Sequence, residues 1–151
     1  MKLDSMYQEV ILDHYKNPHG RGLRDGDAEV HHVNPTCGDE ITLRVKYDGE
    51  TIADVSYEGQ GCSISQASAS VLTDLLVGKE LDEALKIQET FLALMQSKGQ
   101  LEPDDTMEEM LEDAVAFAGV SKFPARVKCA LLSWMAWKDA TAKALSEGKT
   151  A

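Results

Sequence analysis

The sequence is short of positive charge: fifteen Lys and Arg stand against twenty-six Asp and Glu, leaving a formal charge of -11 at pH 7. Such a deficit argues against a partner recognised through its phosphate backbone and against an anionic membrane surface. Apolar runs are short, none near the roughly 18 residues that a membrane span requires. The start Met1-Lys2-Leu3-Asp4-Ser5 meets polar residues before any apolar stretch, so no secretory signal is expected and the expected location is the cytoplasm. Cysteine is scarce, with Cys37, Cys62 and Cys129 only and no Cys-x-x-Cys pair. An odd number in a reducing compartment disfavours structural disulfides and leaves metal binding, reactivity or burial. Internal repeats, low-complexity tracts and linkers are also missing. A chain of 151 residues, 43% hydrophobic and 27% charged with mixed sign, is expected to fold as one domain over 1–151.

Hydrophobic spacing divides that domain into two kinds of element. Ser5 and Gln8 read as a capping box opening a helix with Tyr7, Val10, Ile11 and His14 at helical intervals, stopped by Asn17-Pro18. Pro18 to Gly26 reads as loop, followed by a strand around Ala28 to Val33. Period two then takes over: Ile41, Leu43, Val45 and Tyr47 alternate with polar residues, Asp48-Gly49 supplies a two-residue turn, and Ala53, Val55 and Tyr57 alternate on the return. Beyond Gly61 the spacing is helical. Ser63 and Gln66 suggest a cap for a helix ending at Gly78, and a helix from about Asp82 carries Ile87, Phe91, Leu94 and Met95. Thr106 and Glu109 suggest the cap of another, running through Leu111 and Ala114 to near Gly119, and Pro124 suits the first turn of a long last helix towards Leu145. A run of strands followed by a run of helices predicts an α+β fold: a small three-stranded antiparallel sheet with helices packed on one face.

Three segments carry the chemistry: Asn34-Pro35-Thr36-Cys37-Gly38-Asp39, Gly59-Gln60-Gly61-Cys62-Ser63 and Ala125-Arg126-Val127-Lys128-Cys129. Each puts a cysteine at an element boundary, so the three sulfurs converge if the strand ends meet the start of the last helix. Asp39, two residues from Cys37, is the natural fourth ligand, because that spacing points both side chains the same way from extended chain. Three thiolates and a carboxylate suit tetrahedral zinc and would leave the site near -2, which Arg126, Lys128 and the amides at a helix start would offset. The harder oxygen ligand makes the site less permanent than an all-cysteine one. Taken singly, each cysteine also reads as a small buried hydrophobe. His14 reads as a packed or capping residue, and adjacent His31 and His32 point to opposite faces of a strand, so none is assigned to metal. The acidic run from Glu102 to Asp113 reads as a solvated face, and Trp134 and Trp137 as anchors of the core or an interface.

Taken together, these segments resemble the IscU/SufU family of iron–sulfur cluster assembly proteins over nearly the whole chain. Tyr7, Ile11, His14, Tyr15 and Asn17-Pro18 resemble its N-terminal segment, and Cys37-Gly38-Asp39, Gly61-Cys62 and Cys129 match its cysteines and aspartate. The chain resembles the SufU branch in two respects. The interval from Cys62 to Cys129 is longer than in IscU scaffolds, with an expected helical insertion at about 78–119. Where those scaffolds carry Leu-Pro-Pro-Val-Lys and a histidine before the last cysteine, this chain has Phe123-Pro124-Ala125-Arg126-Val127 and Lys128. The resemblance implies a SufE/IscU-like sandwich with its ligand site exposed at one end. It implies one zinc ion on Cys37, Asp39, Cys62 and Cys129, and a pyridoxal-phosphate, SufS-type cysteine desulfurase as partner. Cys37, on a loop, is the expected acceptor of persulfide sulfur, with Arg126 and Lys128 balancing charge or steering the persulfide. The alternatives are a scaffold that assembles a [2Fe–2S] cluster on the same four residues for downstream proteins, and a structural zinc adaptor.

Overall fold

The alternating stretches form one antiparallel sheet of order β1-β2-β3, with β1 at Ala28–Asn34, β2 at Asp39–Asp48 and β3 at Thr51–Gln60. The computed structural model describes residues 5–35 and 38–147, and the side chains of Ser5 and Met6 lie outside that description, as does the cap expected at Ser5. Along β2, Asp39, Ile41, Leu43, Val45 and Tyr47 are buried and their neighbours are not, so one face of the sheet turns inward, as period-two spacing requires. The hairpin turn falls one residue later than expected: Asp48 pairs with Thr51, leaving Gly49-Glu50 as the loop, with Gly49 at φ +62°. The expected position of Ala53 is also corrected. The register shifts between Lys46 and Tyr47, so that Tyr47 faces Ile52 and Lys46 faces Asp54. Ala53 is the unopposed residue of this bulge and lies exposed, while Ile52 takes the inward place.

Helices α1 (Ser5–Lys16), α2 (Ser63–Leu76), α3 (Leu81–Gln96), α4 (Asp105–Leu111) and α5 (Pro124–Ser146) complete the fold, with a 3₁₀ segment at Glu112–Lys122. Helix α5 packs on β1 and β2, α2 packs on β3 and α5, and α1 packs on α2. Helix α2 is buried on almost every side, and its small residues Ala67, Ser68, Ala69 and Ser70 let three neighbours approach closely. Ser68 bonds one of them, α5, twice: its hydroxyl donates to the Ala130 carbonyl at 2.6 Å and accepts from the Trp134 indole at 3.0 Å. Trp134 also stacks on Phe91, with ring centroids 4.2 Å apart, tying α5 to α3. Both tryptophans are core residues, each fully buried.

Two expected caps sit elsewhere. Cys62, not Ser63, is the N-cap of α2, without a side-chain capping bond. The cap of α4 is Asp104, whose carboxylate accepts from the Met107 amide at 2.9 Å. That helix does not continue to Gly119: Glu112 adopts φ +47°, and the chain tightens into the 3₁₀ segment that buries Val115, Phe117 and Val120. The acidic residues from Glu102 to Asp113 are exposed, as their spacing suggests.

Candidate metal centre

Three element ends meet on the inward side of the sheet. Asp39 opens β2, Cys62 caps α2 and Cys129 lies in the second turn of α5, and the ligand atoms of these three residues all lie within 4.8 Å of one another. Tetrahedral zinc with bonds of about 2.0–2.3 Å needs donor atoms roughly 3.3–3.8 Å apart, so this set closes onto one ion with small side-chain adjustments. Two soft sulfurs and one hard oxygen suit zinc by type. Cys37 lies outside the described residues, between Pro35 and Gly38.

Asp39 is fully buried, and its two oxygens are used differently. Oδ1 accepts the Cys62 amide at 2.9 Å, while Oδ2 lies 4.0 Å from Cys62 Sγ. One oxygen thus fixes the carboxylate to the start of α2 and the other remains directed at the sulfurs. Gly61 makes this possible. It sits at φ +154°, and a Cβ there would overlap the Asp39 carboxylate and come within 2.7 Å of Ser65 Oγ. Ser65 in turn donates to the Cys62 carbonyl at 3.0 Å, holding the first turn of the helix.

Cys129 is only 2% exposed. The Asn34 side-chain amide, also buried, donates towards its sulfur at 3.9 Å, and the Ala125 carbonyl stands 3.7 Å away. Asp39 and Cys129 are buried, and Cys62 alone of the three is partly open. Asp39 lies at the start of the inward face of β2, which α5 covers. Arg126 and Lys128 both point into solvent, and among the described residues neither makes an ion pair. Asn34, Ser65 and the steric role of Gly61 were not anticipated from sequence. Asn34 reaches the site because it pairs with Asp39 across the β1–β2 connection.

The histidines lie elsewhere. His31 meets Thr42 at 2.8 Å on the outer face and His32 meets Asp139 of α5 at 3.0 Å, on opposite sides of β1 as expected. His14 is buried among α1, α2 and the 3₁₀ segment.

Comparison with known proteins finds relatives that match almost the whole chain. Over 93% of its length the chain is 48% identical to the zinc-dependent sulfurtransferase SufU of Bacillus subtilis (strain 168), covering 92% of that protein. It is 45% identical to the iron–sulfur cluster assembly scaffold protein IscU of Streptococcus pyogenes serotype M1, covering 92% of this chain and 84% of the relative. Among solved structures, a candidate iron–sulfur cluster assembly scaffold for the SUF system of Fervidobacterium islandicum AW-1 superposes with a TM-score of 0.76 at 36% identity, over 90% of this chain and 96% of that one. A NifU-like N-terminal protein from Brucella abortus, 24% identical, shares the fold with a TM-score of 0.82 over 95% of this chain and 97% of its own. Residues 6–130 match the NifU-like N terminal domain, and the chain belongs to that family.

Proposed function

We propose that this protein serves iron–sulfur cluster biogenesis as a zinc-dependent sulfur acceptor, taking persulfide sulfur from a SufS-type cysteine desulfurase onto Cys37. The observation that carries the reading is the convergence of Asp39, Cys62 and Cys129 within 4.8 Å, with Cys37 two positions before Asp39 in the sequence. Similarity to a zinc-dependent sulfurtransferase over nearly the whole chain supports it. Cys37, Asp39, Cys62 and Cys129 would hold one zinc ion, which keeps its thiolates deprotonated at neutral pH. Asp39 holds its place through the Cys62 amide, and Asn34 supports the Cys129 sulfur. In the transfer, the Cys37 thiolate attacks the outer sulfur of the donor's cysteine persulfide. A new S–S bond forms on Cys37, the donor S–S bond breaks, and the donor cysteine leaves as its thiolate, with no net oxidation. Arg126 and Lys128, both in solvent, would meet the incoming persulfide or the partner rather than the buried ligands. The segment at about 78–119 is, in this reading, the insertion of the SufU branch.

Cys37→Ala is expected to abolish stimulation of cysteine turnover by the desulfurase, measured as sulfide or alanine release. A variant that stimulates as well as the parent removes Cys37 from the acceptor role. Elemental analysis of the purified protein accompanies it, with one tightly held zinc per chain expected. Similarity to cluster assembly scaffolds favours one second reading, in which the same four residues carry a [2Fe–2S] cluster for transfer. Anaerobic reconstitution followed by transfer to an apo-ferredoxin would favour that reading over the first.

A further inference from the structure

Away from the sulfurs, helices α1 and α2 both end at a second cluster of ligating side chains. His14 lies in the last turn of α1, Asp74 in the last turn of α2 and Asp113 in the 3₁₀ segment, and their donor atoms all lie within 4.8 Å of one another. Asp74 is about 18 Å along the α2 axis from Cys62 at 1.5 Å per residue, so this group is separate from the candidate metal centre. His14 is 2% exposed, whereas the Asp113 and Asp74 side chains are 53% and 57% exposed. One buried imidazole thus stands beside two carboxylates that are open to solvent.

We propose that His14, Asp74 and Asp113 form a second site, built from nitrogen and oxygen donors, for a first-row divalent cation. Three features support it beyond proximity. The first is electrostatic: two carboxylates match the charge of a dication, and the C-terminal ends of two helices add negative potential at the same point. The second is the support of the imidazole. His14 Nε2 lies 2.8 Å from Asp113 and Nδ1 lies 2.7 Å from Ser70 Oγ. The neutral ring binds a cation through Nε2 when its proton moves to Nδ1 and is donated to Ser70, the arrangement that metal-ligating histidines adopt. Ser70 Oγ already accepts the His19 amide at 2.8 Å, which leaves it a second lone pair for this bond. The third is the placement of Asp74, which His19 Nδ1 contacts at 3.3 Å while the His19 ring rests on that of His14, centroids 4.9 Å apart. Imidazole and carboxylate donors with open positions suit Co²⁺, Fe²⁺ or Mn²⁺ better than the thiophilic ions that cysteine sites select.

The test is equilibrium dialysis of the purified protein against Co²⁺, with metal content by elemental analysis and the electronic spectrum of the bound ion. The parent is expected to take up one cobalt per chain that shows visible d–d bands without sulfur-to-cobalt charge transfer, and to bring hyperfine-shifted imidazole resonances of His14 in the NMR spectrum. Asp74→Asn alters an exposed side chain, and is expected to bind one cobalt fewer than the parent while keeping its circular dichroism. Asp54→Asn, on the far side of the sheet, should bind as the parent does. An Asp74→Asn protein with undiminished cobalt, or bound cobalt that appears only with sulfur charge transfer, overturns the proposal. So does the absence of shifted His14 resonances.

Discussion

At the scale of single residues, the site depends on backbone room as much as on donor atoms. Gly61 gives up a side chain so that the Asp39 carboxylate can reach the Cys62 amide. Gly61→Ala is therefore expected to displace Asp39 and weaken zinc binding by about 10–100-fold, the range seen when a ligand's support is removed. Competition against a chelator of known affinity measures this, and parent-like retention would mean that Asp39 is not held as described. Tyr57 poses the opposite case. It is 1% exposed, its hydroxyl has no hydrogen-bond partner among the described residues, and burial pushes its pKa up to about 12. Tyr57→Phe removes a buried unsatisfied group, and is expected to be neutral or stabilising by up to about 1 kcal/mol in urea denaturation. A loss above that would reveal a partner for the hydroxyl.

At the scale of elements, α2 is the hub. Its first residue boundary presents Cys62, its middle binds α5 through Ser68, and its last turn holds Asp74. Because Ser68 bonds the carbonyl of Ala130, the residue after Cys129, the spacing of the two described cysteines is set partly by this one hydroxyl. Ser68→Ala is expected to cost about 1–3 kcal/mol, since the buried Trp134 indole N–H loses its acceptor. In a Trp134→Phe background the same change should cost distinctly less, and equal costs in both backgrounds would separate the two residues. Periodicity was a reliable guide to these elements where one face was plainly apolar: β2, α3 and α5 run as their spacing predicts. It misplaced Ala53 because a bulge changes which residues face inward without changing the composition of the strand. It extended α4 too far because the turn at Glu112 has no glycine or proline to mark it.

At the scale of the whole molecule, the loop between α1 and β1 fastens the open side of the sheet. On the β3 edge the Tyr57 carbonyl accepts from the Gly22 amide at 2.8 Å and the Tyr57 amide donates to the Gly20 carbonyl at 3.3 Å, and the Arg24 guanidinium binds Asp54 at 2.7 Å. Hydrogen bonding from Arg24 is the main cause that holds the Asp54 carboxyl below its ordinary 3.8. A carboxyl depressed in the folded state contributes stability above its unfolded pKa and loses it as pH falls through the folded value. Asp54→Asn should thus lower stability at pH 7 by less than about 1 kcal/mol, given the partial exposure of the pair, and the difference should shrink as pH falls below the ordinary 3.8 and vanish once the lowered folded value is passed. A gap that persists in acid would point to packing rather than charge. The acidic balance, the α+β class, the boundaries that carry the cysteines and the family resemblance were all legible in the chain, because spacing and motif are local properties. Which groups share the second cluster, why Asp39 is buried and how Ser68 spaces Cys62 from Cys129 depended on contacts between residues distant in sequence, and only packing of α1, α2 and α5 on the sheet could decide them.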